Sequence, residues 1–131
     1  MNLFQFGDFT LNSGAKSSWK IECDALTDED IAGLAEMISL AVGGFSDVIG
    51  VPRGGLKLAK ALQKYKKSYY PTLIVDDVLT TGGSMERMKK SLGNFVFIGA
   101  VIFARGKCPA WITPLFQMPD CIRYEHGSCC C

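Results

Sequence analysis

Short apolar runs divide the sequence at regular intervals. Val48, Ile49 and Val51 form the first run, residues 73–75 form the second, and residues 95–103 form the third. Each run is short and almost free of polar residues, as in strands that are covered on both faces. The pattern therefore predicts three buried strands of a parallel sheet.

Apolar residues in the segments around these runs recur every three or four positions, which is the period of an α-helix. The first such segment begins at Thr27, where Asp30 completes a capping box, and Gly43-Gly44 ends it. The other two follow the first and second runs and cover residues 58–65 and 84–92. Three helices are therefore predicted.

Strands that alternate with helices indicate an α/β fold, in which right-handed crossovers place helices on both faces of a parallel sheet. Ligands bind such sheets at the carboxyl ends of the strands. The N-terminal residues instead suggest two short strands, 4–11 and 17–23, joined by a turn at Asn12-Ser13-Gly14. We expect this N-terminal segment to form a small cover over the core, and we call it the hood.

The chain shows no internal repeat and no linker rich in Pro or Ser. We therefore expect a single domain, in which the hood occupies residues 1–26 and the core occupies residues 27–106. A divergent C-terminal segment, residues 107–131, completes the chain.

The second strand run ends on two adjacent acids, Asp76 and Asp77, and a turn rich in hydroxyl and glycine residues follows. Glycine lets a backbone approach a ligand closely, and the unpaired N–H groups at a helix N-terminus favour a phosphate. The two carboxylates could accept hydrogen bonds from the paired hydroxyls of a ribose. The sequence therefore predicts a ribose 5-phosphate site, although an ordinary strand-to-helix turn with Asp as a cap is the alternative.

This element resembles the phosphoribosyl-diphosphate (PRPP) motif of type I phosphoribosyltransferases over residues 72–84, and no Walker A or Gly-x-Gly-x-x-Gly motif competes with it. The resemblance implies that Asp76 and Asp77 act in catalysis and contact Mg²⁺ indirectly, together with PRPP. It also implies that the residues after them bind PRPP, namely Val78, Leu79, Thr80, Thr81, Gly82, Gly83 and Ser84.

A second glycine-rich turn, residues 50–55, ends the first strand and opens a helix. Its basic member is Arg53, whose guanidinium fork suits the oxygens of a diphosphate. In the resembled family the corresponding loop holds the pyrophosphate of PRPP. The resemblance therefore implies that Pro52, Gly54 and Gly55 bind PRPP and that Arg53 acts in catalysis.

Residues 6–19 resemble the start of orotate phosphoribosyltransferases, which carry Gly-x-Phe-x-Leu-x-Ser-Gly-x-x-Ser followed by an aromatic residue. This resemblance implies that Lys16 is a catalytic residue near the base and the diphosphate, and that Trp19 covers the base. Without the resemblance, Lys16 is equally well interpreted as an exposed lysine in a turn, and Trp19 as a core residue. By the same resemblance Arg105 binds the carboxylate of the base, although Ala104 replaces the acid that the family usually has there.

One departure from the orotate enzymes concerns a long mobile loop with basic catalytic residues, which they place before the Asp-Asp strand. Here only residues 66–71 occupy that interval. Lys64, Lys66 and Lys67 could replace part of the missing charge, but a solvated helix face is the favoured interpretation. The segment 108–116 has no counterpart in the resemblance, and its Pro and aromatic residues could rebuild the base pocket.

The composition agrees with one compact domain, since the chain has 131 residues, 48% of them apolar, and a formal net charge of +1. This charge does not indicate a nucleic-acid or membrane surface, and the first nine residues do not resemble a secretory signal. We therefore expect a cytoplasmic protein that binds small molecules.

The six cysteines show neither a disulfide framework nor metal-ligand spacing. For the terminal run Cys129 to Cys131, a reduced tail without structure is favoured over a soft-metal site or a lipid anchor. His126 lies in the same tail and is interpreted as a solvated residue.

Together these observations predict a minimal phosphoribosyltransferase that transfers ribose 5-phosphate from PRPP to a nucleobase, with orotate or a related pyrimidine as the expected base. The resemblance implies Mg²⁺ as a cofactor and a homodimer as the assembly. The alternative is a non-catalytic PRPP- or nucleotide-binding regulator or subunit with the same fold, which the missing loop favours.

Overall fold

A computed structural model describes residues 1–11, 14 and 16–118 of the chain. Four of its strands form one parallel sheet in the order β3-β4-β5-β6, where β3 is Asp47–Gly50, β4 is Thr72–Leu79, β5 is Phe97–Ala104 and β6 is Ile112–Gln117. The first three strands coincide with the apolar runs of the sequence. The predicted α/β fold with a parallel sheet is therefore confirmed, and the sheet gains a fourth strand that the sequence pattern did not predict.

In the described residues, three α-helices connect or precede the strands: α1 is Asp28–Val42, α2 is Gly55–Leu62 and α3 is Gly83–Ser91. The side chain of Thr27 accepts a hydrogen bond from the Asp30 N–H, and the Asp30 carboxylate accepts one from the Thr27 N–H, so the predicted capping box is present. Gly43, with a φ of 77°, ends α1 as expected. A short 3₁₀ turn, Gln63–Tyr65, extends α2.

The helices lie on both faces of the sheet because alternate residues of a strand point to opposite sides. On β4, Leu73 and Val75 pack in a cluster with residues of α1 and α2, whereas Ile74 packs with Met85 of α3. All four of these side chains are buried. The two clusters fix both layers of helices on the sheet.

The hood contains an antiparallel hairpin, in which β1 (Phe4–Thr10) pairs with β2 (Lys16–Ile21). A register shift lies between Phe6 and Phe9. After β2 a single 3₁₀ turn, Cys23–Ala25, leads into α1. The side chain of Phe4 packs edge-on against Phe103 of β5, so the hairpin rests on the sheet.

Some sequence predictions lie outside the described residues, namely those for Asn12, Ser13, His126 and the run Cys129–Cys131. In the described part of the chain, no helix is long and apolar enough to cross a membrane.

The lysines of the α2 region lie far from the carboxyl end of the sheet. Lys64, Lys66 and Lys67 are exposed and precede β4, in which four residue steps, roughly 13 Å, separate Thr72 from Asp76. These lysines therefore belong to a solvated surface at the amino end of the sheet, as the favoured interpretation had it.

Candidate functional site

A cleft of about 880 Å³ opens at the carboxyl ends of β3 and β4, where the topology predicts a ligand site. Three segments line it: residues 52–54 after β3, residues 76–85 at the end of β4 and the start of α3, and residues 20–24 of the hood. Thr10, Leu11, Arg87 and Arg105 complete the lining. The two glycine-rich turns of the sequence thus meet in one cavity.

Asp76 and Asp77 form the floor of the cleft. The Asp76 carboxyl accepts a hydrogen bond from the Asp77 N–H at 2.8 Å, and the Asp77 carboxylate accepts one from the Val78 N–H at 2.7 Å. Asp76 is 8% exposed. This burial, together with the side-chain interaction and negative charge of Asp77, outweighs the opposing effect of the Asp77 N–H bond and raises the pKa of Asp76 to about 8. Near neutral pH the Asp76 carboxyl is therefore mostly protonated and can donate as well as accept a hydrogen bond.

The turn from Thr80 to Ser84 curls around the N-terminus of α3. Gly82 has a φ of 84°, a left-handed conformation that glycine adopts without strain, and the Gly83 N–H donates to Thr81 Oγ1 at 3.3 Å. The first N–H groups of an α-helix have no partner within the helix. They face the same cleft as Asp76 and Asp77, so the turn has the chemistry of an anion cradle.

The loop after β3 is packed tightly against the acid pair. A Cβ atom on Gly54 would overlap the Asp77 carboxylate, and a Cβ atom on Gly55 would overlap the backbone carbonyl of Val75. Pro52, Arg53 and Gly54 line the cleft, and the Arg53 side chain is exposed. Gly55 is buried beneath them, where it brings the start of α2 against β4.

Arg105 connects the hood to the sheet. It follows β5 directly, is 5% exposed, and its Nη1 and Nη2 atoms donate to the Trp19 carbonyl at 3.0 Å and to Ser17 Oγ at 2.8 Å. The guanidinium also lies 3.7 Å from the centre of the Trp19 ring. Arg105 lines the cleft, but its terminal nitrogens are already bonded to the hood. The predicted contact between Arg105 and a base therefore stays a prediction.

The hood presents a different lysine to the cleft from the one expected. Lys16 is exposed and donates to Thr10 Oγ1 at 2.9 Å, and neither Lys16 nor Trp19 is among the residues that line the cavity. Lys20 lines it instead and forms an ion pair with Glu22 at 3.2 Å. Sequence reasoning missed Lys20, although strand alternation would place it on the opposite face from Trp19.

Sequence reasoning also missed Cys23 and Arg87, both of which line the cleft. Cys23 lies beside the acid pair, and burial together with the negative charge of Asp77 raises the pKa of its thiol, so it stays protonated and unreactive. Arg87 stands four residues after Gly83, a spacing that places it on the same helix face as the cradle.

The segment 108–116 does not rebuild the pocket. None of its residues lines the cleft; instead it leads into β6, and Phe116 stacks on Phe103 with ring centres 5.6 Å apart. The indole N–H of Trp111 donates to Glu86 Oε1 at 2.7 Å, which ties the segment to α3. Its aromatic residues therefore serve the sheet and the helix layer.

Solved structures share this architecture. An orotate phosphoribosyltransferase from Aeropyrum pernix is 23% identical over 88% of each chain, with a TM-score of 0.70. One from Mycobacterium tuberculosis is 16% identical over 86% of each chain (TM-score 0.65), and a phosphoribosyltransferase from Corynebacterium diphtheriae is 13% identical over 78% of this chain and 84% of its own (TM-score 0.64). The chain has the type I phosphoribosyltransferase fold.

No protein-family model matches the sequence, and no curated protein matches it either. The likeness to known phosphoribosyltransferases is therefore one of fold, together with the short motifs that surround the cleft.

Proposed function

We propose that this protein binds PRPP in the cleft and transfers its ribose 5-phosphate to a nitrogen of a nucleobase, with release of pyrophosphate. The observation that carries the proposal is the meeting of three features in one cavity: the acid pair, the anion cradle at α3 and the loop that carries Arg53. The structural similarity to enzymes described as phosphoribosyltransferases supports it.

Each part of PRPP has a matching part of the cleft. The 5′-phosphate would occupy the cradle formed by residues 80–84, where backbone N–H groups meet an anion. The ribose hydroxyls would bond to Asp76 and Asp77, and the diphosphate would lie against Pro52, Arg53 and Gly54. Because Asp77 packs on Gly54, the ribose and diphosphate sites adjoin.

The proposed reaction forms a bond between a base nitrogen and the anomeric carbon while the bond from that carbon to the diphosphate oxygen breaks. Positive charge develops on the sugar and negative charge on the leaving group. The Asp77 carboxylate would stabilise the first, and the guanidinium of Arg53 would stabilise the second. No covalent intermediate with the protein is required.

Mg²⁺ is the cofactor that we propose. Among the described residues, no cluster of three or more His, Cys, Asp or Glu side chains could hold a metal alone. Mg²⁺ usually combines one or two carboxylates with substrate phosphates and water, so Asp76 and Asp77 suit a metal that arrives with PRPP. When bound, the ion would neutralise charge on the diphosphate.

For the base we propose orotate or a related pyrimidine, which follows from the resemblance of residues 6–19 and of Arg105. The hood wall beside the cleft carries Lys20, whose ammonium group could meet an anionic base. Arg105 would contribute the remaining N–H groups of its guanidinium, since each terminal nitrogen donates only one hydrogen bond to the hood.

The second candidate function is a PRPP- or nucleotide-binding regulator or subunit without turnover. The connection between α2 and β4 favours it, because residues 66–71 lie at the amino end of the sheet and therefore provide no cover over the cleft. Both candidates require the same ligand site, so they differ only in catalysis.

The test is to incubate the protein with PRPP, Mg²⁺ and a panel of orotate, uracil and purine bases, and to measure pyrophosphate release. We expect release that depends on the base and that is lost in Arg53→Ala. The matched control is Lys57→Ala, an exposed cation on α2 outside the cleft. PRPP binding without release for any base would support the regulator instead.

A further inference from the structure

Arg87 stands at an unusual place for a cation. Its guanidinium lies over the start of α3, where Nη2 donates to Ser84 Oγ at 3.3 Å. A Cβ atom on Gly83 would lie 3.1 Å from its Nη1 atom. Side chains on a helix lean toward its N-terminus, so a residue one turn into the helix brings its head group to the first N–H groups.

This placement is electrostatically unfavourable without a partner of opposite charge. A helix N-terminus carries partial positive charge, and cations there destabilise the helix. In the described ranges 1–11 and 16–118, Lys20–Glu22 is the only ion pair whose nitrogen and oxygen atoms lie within 4.0 Å of each other. No carboxylate in these ranges therefore neutralises Arg87. The acid of the first turn, Glu86, accepts a hydrogen bond from Trp111.

The cationic side chains elsewhere on α3 lie where the helix dipole stabilises a positive charge. Lys89 and Lys90 lie in the last turn, where the partial charge is negative. Arg87 is thus the cation on this helix that faces the cleft and opposes the dipole. An anion bound in the cradle would reverse the sign of this interaction, because it would lie between the N–H groups and the guanidinium.

We infer that Arg87 is a phosphate-binding residue, which closes over the 5′-phosphate in the cradle and holds it by charge-assisted hydrogen bonds. The inference rests on the proposed function and names the group of the substrate that this residue contacts. It makes the phosphate subsite a combination of backbone donors and one guanidinium group. Arg53 and Arg87 then serve the two opposite ends of PRPP.

The experiment compares wild type, Arg87→Gln and Arg87→Lys by calorimetric titration with ribose 5-phosphate and, separately, with inorganic phosphate. We expect Arg87→Gln to bind both about 10- to 100-fold more weakly and Arg87→Lys to recover part of the loss. Thermal unfolding without ligand gives a second readout. The midpoint of Arg87→Gln should equal or exceed that of wild type, because an unfavourable charge has been removed.

Lys90→Gln is the matched control, since it removes a cation that the helix dipole favours. It should lower the unfolding midpoint slightly and leave phosphate affinity unchanged. Affinities for both ligands within twofold of wild type in Arg87→Gln would overturn the inference, as would a lowered midpoint that accounts for weaker binding.

The two proposals fail in different ways. If wild type binds inorganic phosphate but not ribose 5-phosphate, and Arg87→Gln loses the phosphate, the phosphate role stands and the proposed function falls. If wild type binds ribose 5-phosphate and Arg87→Gln binds it equally, the proposed function stands and the role of Arg87 falls. Binding of neither ligand by folded wild type overturns both.

Discussion

The guanidinium of Arg105 lies 3.7 Å from the centre of the Trp19 ring and donates a hydrogen bond to the carbonyl oxygen of the same residue. The two residues are 86 positions apart in sequence, and both are buried. Burial lowers the pKa of Arg105, but the guanidinium stays protonated. One side chain at the end of β5 therefore holds the hood against the sheet and above the cleft.

Arg105→Ala should destabilise the fold and loosen the hood. The change removes the stacking on Trp19 and the two guanidinium hydrogen bonds to the Trp19 carbonyl and the Ser17 hydroxyl, which we expect to cost about 2 to 4 kcal/mol. Arg105→Lys should recover little, because an ammonium group cannot make both bonds and stack. Denaturant unfolding measures the cost, and hydrogen exchange of β2 reports the hood.

Arg53→Ala is the control for this prediction, because Arg53 is an exposed arginine. It should change the free energy of unfolding by less than about 0.5 kcal/mol. If Arg105→Ala were equally harmless while base binding disappeared, the main role of Arg105 would be direct contact with the base.

Gly54→Ala should damage the ligand site, because the new methyl group would overlap the Asp77 carboxylate. Either the loop or Asp77 must move, so we expect weaker PRPP binding by at least about tenfold. Gly33→Ala in the exposed middle of α1 meets nothing within 4 Å and should instead stabilise the protein by roughly 1 kcal/mol. Unchanged PRPP affinity in Gly54→Ala would show that the tight contact has no role in binding.

The stability of the unliganded protein should depend on pH through Asp76. Because the folded-state pKa of about 8 lies above the unfolded value of 3.8, the folded protein keeps a proton that the unfolded chain releases between these values. The stability that this retained proton contributes is therefore lost as pH rises through this window. Asp76→Asn should be more stable than wild type at pH 8, by on the order of a few kcal/mol, and the difference should shrink toward pH 4.

Unfolding free energies of wild type and Asp76→Asn, measured between pH 4 and pH 9, test this prediction. Asp8→Asn, which changes an exposed acid, should follow the wild-type profile. A difference between wild type and Asp76→Asn that stays constant across the range would rule out the titration of Asp76 as its cause.

Much of the fold was accessible from the sequence because local signals agree with it. The runs that became β3, β4 and β5 are apolar on both faces, and α1 has a complete capping box. The edge strand β6 was missed because Pro114 interrupts a short, partly polar run. Proline is tolerated there, since an edge strand leaves one side without hydrogen-bond partners.

The site was predictable where one segment carries the chemistry and less so where distant segments meet. Residues 76–84 are contiguous, so their shared cleft follows from one strand, one turn and one helix. Whether the Lys20 side chain faces the cleft depends on the register of the hairpin, because a shift of one residue moves a side chain to the opposite face. The bond from Arg105 to Trp19 joins elements that no local pattern relates.

The sequence also did not predict which residue of the cradle has a positive φ. Gly82 and Gly83 are adjacent and equivalent in the sequence, but Gly82 takes the left-handed conformation and Gly83 begins the helix. Which of two neighbouring glycines turns the chain depends on the hydrogen bonds at the helix start.

The most direct test of the central claim is a calorimetric titration of wild type and of the double variant Asp76→Asn with Asp77→Asn, using PRPP and Mg²⁺. The account predicts that wild type binds and that the double variant keeps its fold, checked by circular dichroism, but binds about 100-fold more weakly or not at all. Equal PRPP affinity in the folded double variant would contradict the assignment of the acid pair to the ribose.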